Sequence, residues 1–102
     1  MALWDDAMHT PIGVDGRPAI VGHIGNRDQA ERWHAAGYSI PEATARYEAF
    51  FTRWEDLVDA DEAAADRLVD DFYSAERQLA ADAGLQQDTD FWRLESARKH
   101  FL

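Results

Sequence analysis

Steps of four and three residues separate Ala43, Tyr47, Phe50, Trp54 and Leu57. That spacing returns to one face of an α-helix and cannot line one face of a strand. The start of the helix is also written locally. Ser39 is placed as N-cap, Pro41 lies in the first turn, and Glu42 at the third position can reach back to complete a capping box. A helix over 41–57 with a wide aromatic face must bury that face, so the rest of the chain has to supply helices or a sheet to cover it.

The flanking sequence supplies mostly helices. Asn26 can cap a short helix over 27–36, closed by Gly37 in the left-handed region. A third helix is expected over 61–83 with Gly84 as its stop and an apolar face of Ala65, Leu68, Phe72, Ala75 and Leu79, broadened by Val69 and Tyr73. Asp59-Ala60-Asp61 is a weak break, which leaves the second and third helices free to run on as one. A last helix, capped by Asp88, presents Phe91, Leu94, Ala97 and Phe101. Only the stretch 11–26 reads as β: Asp15-Gly16 sits between two short apolar runs, the mark of a tight hairpin. The expected fold is mainly α, a short N-terminal β-hairpin followed by a small bundle of about four helices. With 102 residues it is one domain, divided into a hairpin arm (1–26), a helix-turn-helix-like part (27–58) and an acidic helical segment (59–102). The expected core joins Tyr47, Phe50, Trp54, Leu68, Phe72 and Leu79.

There are no cysteines, which removes disulfides, thiolate metal sites and a thiol nucleophile and fits a reducing cytosol. No stretch approaches the ~20 apolar residues of a membrane span, and the first residues lack the basic start and apolar run of a signal peptide. A cytoplasmic protein with no membrane partner is expected. The net charge of -10 is divided unevenly. Residues 1–54 carry five Arg against seven acids, a balance of -2, and residues 55–102 carry five bases against thirteen acids, a balance of -8. A solvated helix surface carries such charge too, but the imbalance would draw the second half toward basic partners and away from nucleic acid.

Patterns for catalysis are sparse. Glu31 and His34 have the Glu-x-x-His spacing of a di-iron bundle, which needs two copies and two further glutamates; here there is one copy. Glu62, Asp66 and Asp70 repeat at i+4, as in Mg²⁺-dependent all-helical nucleotide pyrophosphohydrolases, yet the same row is the ordinary polar face of an amphipathic helix. Ser39, Ser74 and Ser96 lack a glycine elbow, and there is no dinucleotide fingerprint or phosphate loop. The expectation is no enzyme, no cofactor, no catalytic residues and no metal site.

Gly16-Arg17-Pro18-Ala19-Ile20-Val21-Gly22-His23, followed by Ala36-Gly37-Tyr38-Ser39-Ile40-Pro41-Glu42 and Tyr47, resembles a family of small antitoxins. These are VapB-type proteins with a helix-turn-helix-like domain of unknown function, encoded beside toxins with PIN-like nuclease domains. The resemblance spans about residues 12–58, with Thr52-Arg53-Trp54-Glu55-Asp56 similar to the family's acidic helix start. It departs at Ile24-Gly25-Asn26 and in the register before Thr52. The resemblance implies a dimeric helix-turn-helix unit and a C-terminal segment that wraps a basic toxin. On that reading Asp59, Glu62, Asp66, Asp70 and Asp82 form the partner-binding surface, where complementary charge speeds capture of a cationic nuclease. Arg27, Arg32 and Arg46 would be the contacts to DNA, if DNA is bound. The rival readings are a phage or plasmid inhibitor, an immunity protein or a DNA mimic whose carboxylates stand in for duplex phosphates.

Overall fold

The computed structural model describes residues 2–101. Four helices follow a short β arm: β1 (Trp4–Asp5), β2 (Thr10–Pro11), α1 (Arg27–Ala36), α2 (Ile40–Leu57), α3 (Glu62–Asp82) and α4 (Phe91–Ala97), with 3-10 turns at Leu85–Gln87 and Arg98–His100. The mainly helical architecture with an N-terminal hairpin is the one the sequence implies. The two-stranded ladder lies earlier than expected, though. Trp4 pairs with Pro11 and Asp5 with Thr10, while the Asp15-Gly16 turn closes only an isolated antiparallel bridge, Ile12 to Pro18. Gly16 has φ +79 there, and its N–H bonds back to Gly13 O at 3.0 Å.

The helix ends follow their caps. Asn26 accepts from the Gln29 N–H at 2.8 Å, and Gly37 closes α1 with φ +115, a conformation that strains any residue with a Cβ. Ser39 accepts from Glu42 N–H at 3.4 Å; among the described residues only this serine half of the capping box is made. Val58–Asp61 separate α2 from α3, and Asp61 caps α3 by accepting from Ala64 N–H at 3.1 Å. The last helix begins at Phe91 rather than at Asp88, whose carboxylate instead closes the preceding turn on Asp90 N–H at 2.9 Å.

α2 packs chiefly on α3, and α4 also packs on α3. At the α2–α3 contact Phe50 stacks on Phe72 with ring centroids 4.3 Å apart and planes 9° from parallel. Phe101 stands edge-on to Phe50 and Trp54 at 5.4 and 5.1 Å. The buried stripe of α3 differs from the expected one: it is Ala65, Val69, Tyr73, Glu76 and Ala80. Leu68 and Phe72 lie half-buried at its margin, as does Trp54 on α2, and Leu79 is 42 % exposed. The reason is Glu76. It is 1 % exposed, and the helix turns its polar partner-seeking residue inward at the expense of Leu79.

Candidate functional site

The most unusual feature of the interior is a polar chain that joins the loop before α1, the α1–α2 connection, α2 and α3. His23, from the loop between the arm and α1, is within 2.7 Å of the Tyr38 hydroxyl through Nε2. Tyr38 sits in the three-residue connection between α1 and α2 and donates its proton to Glu76 Oε1 on α3 at 2.6 Å. Arg46 of α2 closes the chain, donating from Nε to Glu76 Oε2 at 2.7 Å and from Nη2 to Oε1 at 3.0 Å. Its guanidinium also lies 5.7 Å from the centre of the Tyr38 ring, within cation–π range.

Proton counting fixes the polarity of the chain. Tyr38 has one proton and gives it to Glu76, so His23 Nε2 must carry the hydrogen of the neutral imidazole. That leaves the lone pair of Nδ1 buried with no partner among the described residues. Burial, with a smaller push from the Arg46 charge, depresses His23 to about 3. Burial and the neighbouring Glu76 push the Tyr38 hydroxyl well above its ordinary range. Tyr73 is raised as well, first by burial and then by the neighbouring Tyr47 and Glu76. Burial works against the charge of Arg46, but the bonds to Glu76 outweigh it and hold its pKa above the usual value. His23, Tyr38, Glu76 and Arg46 are thus turned toward one another, the pattern of an internal lock more than of a reactive centre, while the buried Tyr73 hydroxyl has no hydrogen-bond partner among the described residues.

The three arginines considered for DNA are all engaged by the chain's own carboxylates. Arg27 pairs with Asp6; Arg32 pairs with Asp28 at 2.7 Å and with Asp88 and Asp90; Arg46 belongs to the chain just described. Arg32 thereby ties α1 to the turn before α4. Burial acts against ionised Asp88, but the bonds from Arg32 and the Asp90 amide hold its pKa below the ordinary value.

The five acidic residues expected at a partner surface do not form one patch. Glu62 and Asp66 stand one turn apart at the start of α3, with exposed Asp59 just before them. Asp70 is bridged by Arg98 at 2.9 Å. Asp82 lies at the far end of α3, about 30 Å from Glu62 at 1.5 Å per residue, where it accepts from Gln78 at 2.8 Å. A wider count is more telling. Seven of the twenty acidic side chains are ion-paired among the described residues, leaving thirteen without a cation. Six of those thirteen, Glu55, Asp56, Asp59, Asp61, Glu62 and Asp66, fall within residues 55–66, where there is no Lys or Arg at all.

No protein-family model, curated protein or solved structure matches the chain.

Among the described residues no group of three or more His, Asp or Glu side chains is placed to hold a metal ion. His34, the imidazole of the Glu-x-x-His pair, accepts from Ile40 N–H at 3.2 Å and so helps join α1 to α2. Among the described residues no helix is long and apolar enough to cross a membrane. One further feature was not legible in the sequence: a cleft of about 550 Å³ between the 13–20 loop and α2, walled by Val14, Arg17, Ile20, Thr44, Glu48 and Phe51 among others.

Proposed function

We propose that this chain is a non-catalytic regulator that binds a basic protein, in the manner of an antitoxin that neutralises a cationic nuclease. The observation that carries the reading is the run of six unneutralised carboxylates over residues 55–66 at the α2–α3 end. Helix electrostatics sharpen it. Glu55 and Asp56 occupy the last turn of α2, which holds no basic residue. There they face the negative end of the helix dipole, at about 0.3–1 kcal/mol each in an exposed setting. A fold gains nothing from that arrangement alone, whereas a cationic partner would relieve it. The same field would raise the association rate for a basic protein.

The resemblance to small antitoxins over residues 12–58 agrees with this reading, although the residues that carry it have structural work of their own. Gly22 passes close to the Tyr47 and Tyr73 hydroxyls, and His23 and Tyr38 lie in the buried chain. A phage or plasmid inhibitor, an immunity protein or a DNA mimic would use the same carboxylates, and the partner's identity separates these cases. DNA binding draws no support from Arg27, Arg32 and Arg46, which are already committed to carboxylates. A Mg²⁺-dependent pyrophosphohydrolase would need the Glu62, Asp66 and Asp70 row free and faced by a second helix's acids, whereas Arg98 holds Asp70.

The test is cross-linking of the tagged chain in its native cells, followed by mass spectrometry of the linked peptides. The expected product joins the 55–66 region to lysines of a basic protein. Links that instead gather on α1, or a captured partner with an acidic surface, would overturn the reading.

A further inference from the structure

We propose that the cleft beside α2 takes an extended segment of the basic partner, added as a strand along residues 17–21 with its alternate apolar side chains seated between Ile20 and Phe51. This rests on the reading of the chain as a binder of a basic protein, and the two can fail separately.

Three independent observations meet at this cleft. The first is exposed apolar surface. Ile20 and Val14 are 78 % and 69 % exposed, the highest values among the large apolar side chains of the described residues, and both line the same cleft. The second is an open backbone edge. Gly13 N–H bonds to Arg17 O and Ala19 N–H bonds to Pro11 O, each at 2.9 Å, around the Ile12–Pro18 bridge. Residues 17–19 therefore form the outer, extended margin of the arm, held to it by that isolated bridge. Alternation along this margin turns Pro18 C=O and Ile20 N–H away from β2, and neither has a backbone partner among the described residues. Such an edge is what strand addition requires. The third is charge on the facing wall. Glu48 on α2 and Asp15 on the loop line the cleft with no cation partner among the described residues, against Arg17 as its one cation, and Arg46 is committed to Glu76. A shallower trough of about 480 Å³ continues the cleft along α2 past Ala49 and Arg53 to Asp56, sharing Ala45, Glu48 and Thr52 with it.

Together these choose the occupant. Main-chain groups would pair with the Pro18–Ile20 edge, apolar side chains would fill the cleft, and Lys or Arg side chains would meet Glu48 and Asp56. A second copy of the chain fits poorly, because its own charge of -10 repels it and Pro18 lacks the N–H that would extend a symmetric ladder.

The test is selection of random nonapeptides displayed on phage against the immobilised full-length protein, with an enriched peptide then synthesised and its affinity measured. Enriched sequences should alternate branched or aromatic residues with Lys or Arg. Their affinity should fall at least tenfold with Ile20→Asp and severalfold with Glu48→Gln, while Glu62→Gln with Asp66→Asn changes it less. Ile20 is a surface residue, and matching thermal melts of variant and parent establish that the fold is kept. No enrichment, acidic consensus sequences, or indifference to Ile20→Asp overturns the proposal, as does a dimer in sedimentation that Ile20→Asp dissolves. Basic peptides that survive Ile20→Asp but are lost with Glu62→Gln and Asp66→Asn would remove the cleft and leave the acidic end as the binding surface.

Discussion

Acid should loosen this protein through His23, over a window that opens below pH 6.5. In the folded chain the imidazole is held neutral at about 3 by burial and the Arg46 charge, against 6.5 for the free side chain. Between those values the unfolded chain binds a proton that the folded chain refuses, so stability is whole above pH 6.5 and falls as pH drops toward 3. Each pH unit is worth about 1.4 kcal/mol once the free imidazole is protonated. At pH 4.5, two units below its ordinary value, the loss is about 2.5–3 kcal/mol, a large share of the ~5–15 kcal/mol that holds a domain folded. The structure gives the reason for the asymmetry. Nε2 already donates to Tyr38, so a second proton must go on Nδ1, which is buried with nothing to accept from it. The assay is urea unfolding followed by tryptophan fluorescence at pH 7.5, 6.0, 5.0 and 4.5, for the parent and for His23→Gln. Glutamine keeps a donor for Tyr38 and does not titrate. Its own cost shifts the whole curve, and the slope against pH between 6.5 and 4.5 should flatten. Asp88, depressed below its ordinary 3.8, contributes only at lower pH and does not blur the comparison. Parallel slopes for the two proteins would refute the assignment of the buried, neutral imidazole.

Two more expectations follow from the interior. Arg46→Met strips the cation from Glu76, which is 1 % exposed and keeps only the Tyr38 hydroxyl as donor, and should lower unfolding free energy by about 3–5 kcal/mol, as for other buried pairs broken on one side; an unchanged urea midpoint would contradict the lock. Phe50→Ala should cost about 3–5 kcal/mol, more than Trp54→Ala, because Phe50 is fully packed on Phe72 whereas Trp54 is half-buried against Phe51 and Phe101; the reverse order in denaturant midpoints would show that the aromatic layer is placed wrongly.

The features legible in the sequence were those whose causes are local. Asn26, Gly37, Ser39 and Gly84 set the helix ends because each acts through backbone groups within a few residues. The buried face of α3 was not legible, since hydrophobic periodicity favoured Leu79 and had no means of seeing that Glu76 meets Arg46, thirty residues away on α2. The same blindness governed the site. Arg46 read as a DNA contact, and the sequence assigned no role to His23 or Glu76, until the fold joined them through Tyr38. One signal was present: Glu76 falls three and seven residues after Tyr73 and Val69, on their apolar stripe. The acidic end is the opposite case. Residues 55–66 contain no base, so their charge was countable from sequence, but only the fold separated Asp70 and Asp82 from the patch.

The central claim, that the α2–α3 end captures a basic protein, is tested most directly by association rates with the purified partner across a salt series. Glu62→Gln with Asp66→Asn should slow association more than it speeds dissociation, and the difference from the parent should shrink as the Debye length falls to about 8 Å at physiological ionic strength. Replacing Arg27 and Arg32 by Gln should leave the association rate unchanged or raise it. If the acidic pair is silent and the arginine pair slows association, the binding surface lies on α1 and the account is wrong.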